Sequence, residues 1–277
     1  MTETRDNTPQ LLTQSAVAAL LTTPTIDASA AGAVSEVVNI AAPSLRVPML
    51  TELPTAAVIP EGAEYPLSST SFGEVTVTPA KIGVADTFTR ELANDSSPSA
   101  QQVFAYALAA ALAVRVDAGF IGADPVTGMP GLEQIAATAV SAGTTWSSLD
   151  PLVDALAVAE AAGTHVDAWL MSAADKTLLR KIKTAAGSVQ SLLSPDANSG
   201  SIDGVLGTPI VTSEHVPAGT IYAVPRNRAM LVVREAAEVE TDRSLFWLSD
   251  RIAIKASVRI GWVFTDPKAV ARIKLTG

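Results

Sequence analysis

Ile252, Ile254, Ala256, Val258, Ile260, Trp262 and Phe264 are apolar at every second position, while Lys255, Ser257 and Arg259 fall between them. Side chains along a strand point to opposite faces in turn, so this run predicts one β-strand with a buried and a solvated face. It covers 13 residues, about twice the common strand length of ~5–6. A strand of that length needs long partners, and Met230 to Val233 and Ala237 to Glu240 are the expected neighbours in an elongated sheet.

The clearest helix lies earlier. Ser97 suits an N-cap and Pro98 the first helical position, and Phe104, Leu108, Leu112, Val116 and Phe120 recur every four residues until Gly122 and Pro125 close the run. About 24 residues at ~1.5 Å each predict a rod of roughly 36 Å. Its many alanines leave a smooth surface that a sheet or another helix can approach closely. Residues 126–145, with Gly128, Pro130, Gly131 and Gly143, read as a loop with short strand pieces.

Residues flanking this helix divide by composition. Residues 1–44 are rich in Ala, Thr and Ser, with one short helix expected around Leu11 to Leu21, and read as an extended or adaptable arm. From Arg46 to Ala80, prolines at 48, 54, 60, 66 and 79 interrupt short β-like runs such as Glu74 to Thr78, which predicts a protruding, twisted hairpin or edge strands. Trp146 to Ala223 reads as a compact α/β region. Asp150-Pro151 opens a helix that ends at Gly163, Val166 to Met171 is a buried strand, and Ser172 with Asp175 resembles a capping box for a helix through about Thr184. Ser188 to Gly207 reads as a mobile loop.

Composition limits the chemistry. With 48% hydrophobic and 17% charged residues the 277-residue chain is a packed, globular protein. It contains no cysteine and two histidines, which excludes disulfide frameworks, thiol catalysis and iron–sulfur clusters and leaves only oxygen donors for a metal. No secretory leader is expected at Met1 to Gln10, and the longest uncharged run, between Asp95 and Arg115, is too short and too rich in Ser and Gln to span a bilayer. The expectation is a soluble chain made in a cytoplasm.

The net charge of −9 argues against tight wrapping of nucleic acid, which needs a concentrated basic face. Residues 1–80 carry eight acids and two arginines, whereas residues 226–277 carry ten basic residues and six acids. Ordinary surface scatter produces such a split as readily as function does. The sharper reading sets an acidic early segment of one copy against a basic late segment of the next.

Catalytic signatures are absent from the sequence: no G-x-S-x-G, no P-loop, no G-x-G-x-x-G and no H-E-x-x-H. His165 and His215 read as loop histidines, and the pairs Glu61 with Glu64 and Glu238 with Glu240 as solvated or interface faces rather than acid–base dyads. Trp146, Trp169, Trp247 and Trp262 are all expected in core packing, since no interleaved basic residues mark a base-stacking surface.

The order of arm, Pro-rich β protrusion, long helix, inserted α/β lobe and long C-terminal strands resembles the major capsid protein of tailed bacteriophages, with its HK97-type fold. Local matches follow the same order. Ile59-Pro60-Glu61-Gly62-Ala63 resembles the tip of the family's extended loop, and Arg90-Glu91-Leu92 with Asp95-Ser96 resembles the entry to its spine helix. Gly128 to Leu132 is similar to the turn that follows. Leu170-Met171-Ser172 with Asp175, and Gly207-Thr208-Pro209-Ile210-Val211, resemble the apical lobe, and Arg259-Ile260-Gly261-Trp262 with Asp266-Pro267-Lys268-Ala269 resembles the closing strand. The ordered set covers about residues 45–277.

The resemblance implies an α+β, HK97-like capsid fold with an N-terminal arm (1–44), an extended β loop (45–80) lying over a neighbouring subunit, a peripheral domain with the spine helix and elongated β-sheet (81–145 and 224–277), and an axial α/β domain (146–223). It implies a non-enzymatic major capsid protein that self-assembles into hexamers and pentamers of an icosahedral phage head in the virion. The head would enclose double-stranded DNA without sequence-specific binding, with no cofactor, no metal and no membrane partner.

Expected partners are further copies, with separate scaffolding, portal and decoration proteins as additional candidates. At the subunit interface, Glu52, Glu61, Glu64 and Glu74 would face Arg228, Arg243, Arg251 or Arg259 of the next copy. Residues 45–80 contain no lysine, so the lysine–asparagine crosslink of some relatives is not expected in this loop. The arm is also too short for the fused scaffold of others. Two rival readings are an encapsulin-like nanocompartment shell subunit and, from another class, a soluble hydrolase with an unrecognised site.

Overall fold

A computed structural model describes residues 29–50, 56, 58–60, 62, 64, 72–89, 91, 98–122, 128–185, 188, 191–193 and 204–276. The expected arm helix at Leu11 to Leu21, the Ser97 cap, Pro125 and Asn198 to Ser201 lie outside these residues.

The C-terminal alternation forms β11, Arg251–Phe264. It pairs antiparallel with one continuous 18-residue strand, β10 (Ala229–Phe246), where the sequence suggested two short neighbours. Register shifts after Val233, Glu235 and Asp242 keep the long ladder closed while the strands twist. The other edge of β11 pairs with β4, Ala80–Thr89. A short strand β1, Glu36–Asn39, lies parallel to β10 at Met230 to Val233 and completes a four-stranded sheet of order β1-β10-β11-β4.

The alternation predicts the buried side of β11: Ile252, Ala256, Val258, Ile260, Trp262 and Phe264 are buried, while Ile254 is half-buried. From Ser257 onward most of the opposite phase is buried as well, Val263 included. There the sheet is covered on both sides, which a single-sided reading does not anticipate.

The long helix, α2, spans Pro98–Ile121, as the fourfold spacing predicts. Leu108, Ala109 and Leu112 pack on Ala237, Ala256 and Val258 of the long strands. Val116, Phe120 and Ile121 enter the main core with Leu231, Val233, Ile260 and Phe264.

Residues 29–39 differ from the arm expected for them. Ala30–Val34 form a five-residue helix, α1, whose Ala31 and Val34 are fully buried, and β1 follows directly. A stretch of small side chains reads as adaptable in isolation. Here small size lets the backbone settle into the core.

The hairpin expected at residues 45–80 exists at its base: β2, Leu45–Leu50, pairs antiparallel with β3, Phe72–Val77. The α/β lobe is built on a second sheet, of six strands in the order β5-β12-β9-β6-β8-β7. Its strands are β5 (Thr138–Ser141), β6 (Ala168–Met171), β7 (Gly204–Val205), β8 (Thr208–Thr212), β9 (Thr220–Val224) and β12 (Ala271–Lys274). β5 and β12 therefore belong to the sheet of the lobe, although they lie outside residues 146–223.

Alternate residues of β6 and β9 face two different cores. Leu170, Tyr222 and Val224 join the main core, while Trp169, Met171, Ile221 and Ala223 meet α3 (Asp150–Ala161) and α4 (Ala173–Arg180). α4 ends at Arg180, four residues before the expected stop. The Ser172 hydroxyl accepts from the Asp175 amide at 3.1 Å, as a capping residue should. The Asp175 carboxylate does not close a reciprocal box; it accepts instead from Ser172 Oγ, Trp146 Nε1 and the Gly219 amide.

Candidate functional site

Among the described residues no set of three His, Cys, Asp or Glu side chains is placed to hold a metal. His165 Nε2 lies 2.9 Å from Asp167 on an exposed turn, and His215 Nε2 lies 3.8 Å from Glu214; a serine nucleophile completes neither pair. A surface hollow of about 320 Å³ between Trp146, Leu178, Ile182 and Leu275 carries one titratable side chain, Lys181, and no acid to pair with it. No described helix is long and apolar enough to cross a membrane.

The eight charged residues assigned to an interface scatter over the fold. Glu52 and Glu61 lie outside the described residues, and Glu64 is exposed. Glu74 on β3 is exposed and meets Arg46 of β2 at 3.5 Å. Arg228, at the end of the turn Arg226–Arg228, is half-buried, and its Nε is buried without a hydrogen-bond partner among the described residues. Arg243 lies on β10, with its side chain outside the described residues. Arg251 opens β11 and is exposed, between Phe246 and Thr89 in the register.

Arg259 faces Glu235 across β10 and β11, with Nε 3.1 Å from Oε2. Among the described residues, no ion pair within the chain joins Glu64 or Glu74 to Arg228, Arg251 or Arg259. A second rung of charge, Lys255 with Glu240 at 2.8 Å, crosses the same ladder and holds the Glu240 carboxyl below its ordinary range through hydrogen bond and charge.

The strongest surface feature is one that sequence reasoning placed wrongly. Trp146, Trp169 and Trp262 are buried, and each indole N–H is satisfied, by Asp175, by the Val205 carbonyl and by the Pro130 carbonyl respectively. Trp247 is not in a core: it is 74% exposed, on the turn Trp247–Ser249 that joins β10 to β11. Leu248 beside it is 94% exposed, and Leu245 and Phe246 are exposed as well. Among the described residues, no core cluster takes in Leu245, Phe246, Trp247 or Leu248.

Local hydrogen bonds and one left-handed residue shape its backbone. The Asp242 carboxylate accepts from the Ser244 hydroxyl and amide, both at 2.7 Å, which keeps its pKa below the usual range, and Asp250 takes the left-handed conformation that aspartate tolerates. The signal was present in the sequence: four consecutive apolar residues between Ser244 and Ser249 break the alternation on either side, so one sheet face cannot hide them. An exposed apolar cluster on a turn is chemically inert but suited to contact with another protein surface.

Comparison with known proteins adds sequence and fold relatives. A family model described as the phage capsid family matches residues 13–275. A capsid polyprotein of Pseudomonas phage PAJU2 is 28% identical over 172 residues, 59% of this chain and 25% of that protein. The chain thus spans about a quarter of the length of that curated relative.

Solved structures share the fold at lower identity. A structure titled as the capsid of an empty GTA particle, computed with C5 symmetry, has a TM-score of 0.76 at 18% identity and covers 90% of both chains. A structure of Gordonia phage Cozz gives 0.73 at 21% identity, over 90% of this chain and 87% of that one. One of Mycobacterium phage Bobi gives 0.72 at 19%, over 90% and 91%.

Proposed function

The chain belongs to the phage capsid family, and from that membership we propose that it is the repeating shell subunit, self-assembling into hexamers and pentamers of an icosahedral head that encloses double-stranded DNA. Its fold is the HK97-type capsid fold and its place is the virion capsid. The observation that carries the assembly reading is the apex Leu245 to Leu248, an apolar surface exposed among the described residues. The largest apolar patch of a typical monomer is about 300–600 Å² and often functional. A contact between copies gives this one a use.

In this reading residues 45–80 form the extended loop over a neighbouring subunit, residues 81–145 with 224–277 the peripheral domain, and residues 146–223 the axial domain, whose sheet takes in β5 and β12. Glu52, Glu61, Glu64 and Glu74 would meet Arg228, Arg243, Arg251 or Arg259 of the next copy, of which Arg251 is exposed and Arg228 and Arg259 are half-buried. The net charge of −9 supports a container that holds DNA without gripping it. Separate scaffolding, portal and decoration proteins remain part of the proposal, and no catalytic role is proposed.

Electron microscopy of the purified chain at rising concentration tests this. Closed shells, or rings of five and six, are the expected products. A chain that stays monomeric at high concentration, with and without a co-expressed scaffold, overturns the reading. Charge reversal at Glu61 and Glu64 is expected to shift the salt dependence of assembly, and unchanged assembly at every salt concentration removes the ion pairs from the account.

A further inference from the structure

Asp117 is a buried carboxylate on the last turns of α2 that the assembly reading does not use. Its Oδ1 accepts from Ser29 Oγ at 2.6 Å and from the Ala31 amide at 2.9 Å, and its Oδ2 accepts from the Ala30 amide at 2.9 Å. All three donors come from one stretch of chain 86 to 88 residues away. Ser29 in turn accepts from the Gly32 amide, so the carboxylate organises the first turn of α1 both directly and through that hydroxyl.

What Asp117 holds has little helical stability of its own. α1 has five residues, far below the ~12–15 at which an isolated helix becomes even marginal. β1 adds four parallel pairs at the edge of the sheet. Further hydrogen bonds run from the Ile40 amide to the Val233 carbonyl at 2.9 Å and from Arg226 Nε to the Ser35 carbonyl at 3.0 Å, and Ala30, Ala31 and Val34 pack in the main core. Residues 29–40 are therefore a small unit, held to the body by the burial of Ala30, Ala31 and Val34 and by a few polar contacts, of which one carboxylate supplies three.

We propose that Asp117 is a latch that fixes the root of the N-terminal segment on the long helix. With the carboxylate in place, residues 29–40 are docked and the chain before Ser29 starts from one defined point on the body. Without it, residues 29–40 undock as a unit while the β10–β11–β4 ladder and the six-stranded sheet persist. Undocking uncovers the β10 edge from Met230 to Val233, an open ladder able to take a strand from another chain. Asp117 is thus a positioning residue that both sets where the segment leaves and keeps that edge closed.

Hydrogen exchange on the full chain tests this and needs no assembled shell, so it stands apart from the proposed function. Asp117→Ala is expected to speed exchange at the amides of residues 30–40 by roughly 100-fold, with β11 and β6 amides changing by less than about threefold. Asp117→Asn, which keeps the volume and one oxygen acceptor but turns an amide donor toward an N–H group, is expected to speed exchange there by less than Asp117→Ala. Ser29→Ala, which removes one donor, should give an intermediate increase and serves if the Asp117 variants do not fold. Wild-type protection of residues 30–40 in these variants overturns the latch. So does a loss of protection spread evenly over the whole chain, which would make Asp117 an ordinary core residue.

Discussion

Trp262 occupies the space that a side chain at Gly119 would need: a Cβ built on Gly119 collides with the indole at Cη2 and Cζ2. The same indole N–H reaches past the helix to the Pro130 carbonyl at 3.0 Å, and its ring meets Phe120 edge-on at 6.5 Å. The long helix and the long strand thus touch through the absence of one side chain and the size of another.

Gly119→Ala is expected to destabilise, against the helix-propensity gain of about 1 kcal/mol that alanine brings to a helix interior. Overpacking costs of ~1–3 kcal/mol set the sign. Urea melts should show the loss shrinking when the same change is made in a Trp262→Leu background. An equal loss in both backgrounds would separate Gly119 from Trp262.

Asp175 joins three segments by accepting from Trp146 Nε1 at 2.8 Å, Ser172 Oγ at 2.7 Å and the Gly219 amide at 2.9 Å. Asp175→Ala strands a buried indole N–H and a half-buried backbone N–H, and a loss of ~3 kcal/mol is expected, seen as a fall of roughly 6–12 °C in Tm. Asp175→Asn, retaining one acceptor, should lose less.

Tyr222 is buried in the main core, and desolvation, with the Glu133 charge adding to it, pushes its pKa from 10.0 up to about 12 despite the opposing Arg272. The folded chain therefore keeps the phenol protonated where the unfolded chain releases the proton. The associated stability is complete below pH ~10 and declines by about 1.4 kcal/mol per pH unit until pH ~12. Tyr222→Phe should remove that slope from denaturation curves taken across this window; an unchanged slope would assign it to other groups.

The chain contains no cysteine, so a single introduced thiol reports one contact without interference. If apex residues of neighbouring copies meet in the shell, Leu248→Cys should give disulfide-linked dimers on oxidation of assembled particles and none in the dissociated chain. Trp247→Ala should leave melting within about 0.5 kcal/mol of wild type, as for an exposed residue, while raising the concentration needed for assembly about tenfold or more. Assembly of Trp247→Ala at the wild-type concentration would assign the apex to a different partner.

Much of the architecture is readable from local pattern. Period two over 252–264 marked β11, fourfold spacing marked α2 from Pro98 to Ile121, and Ser172 marked the start of α4. Each rests on forces acting within a few residues: alternation of side-chain direction, steric fit of proline at a first turn, a hydroxyl near a free amide. The exposed cluster at Leu245 to Leu248 was legible in the same way, as four apolar residues in a row, but the expectation that tryptophans pack inside outweighed it.

Composition and periodicity determined that this chain forms a packed body with a long amphipathic strand, a smooth helix and no thiol chemistry. Tertiary structure alone decided that small residues 29–39 enter the core, since three donors there meet a carboxylate 86 to 88 residues away. It alone decided that β5 and β12 complete the lobe's sheet, and that Trp247 stands in water while Trp262 fills the gap over Gly119. The physical reason is common to all three: burial and hydrogen-bond satisfaction depend on what lies opposite, and chain order does not carry that information.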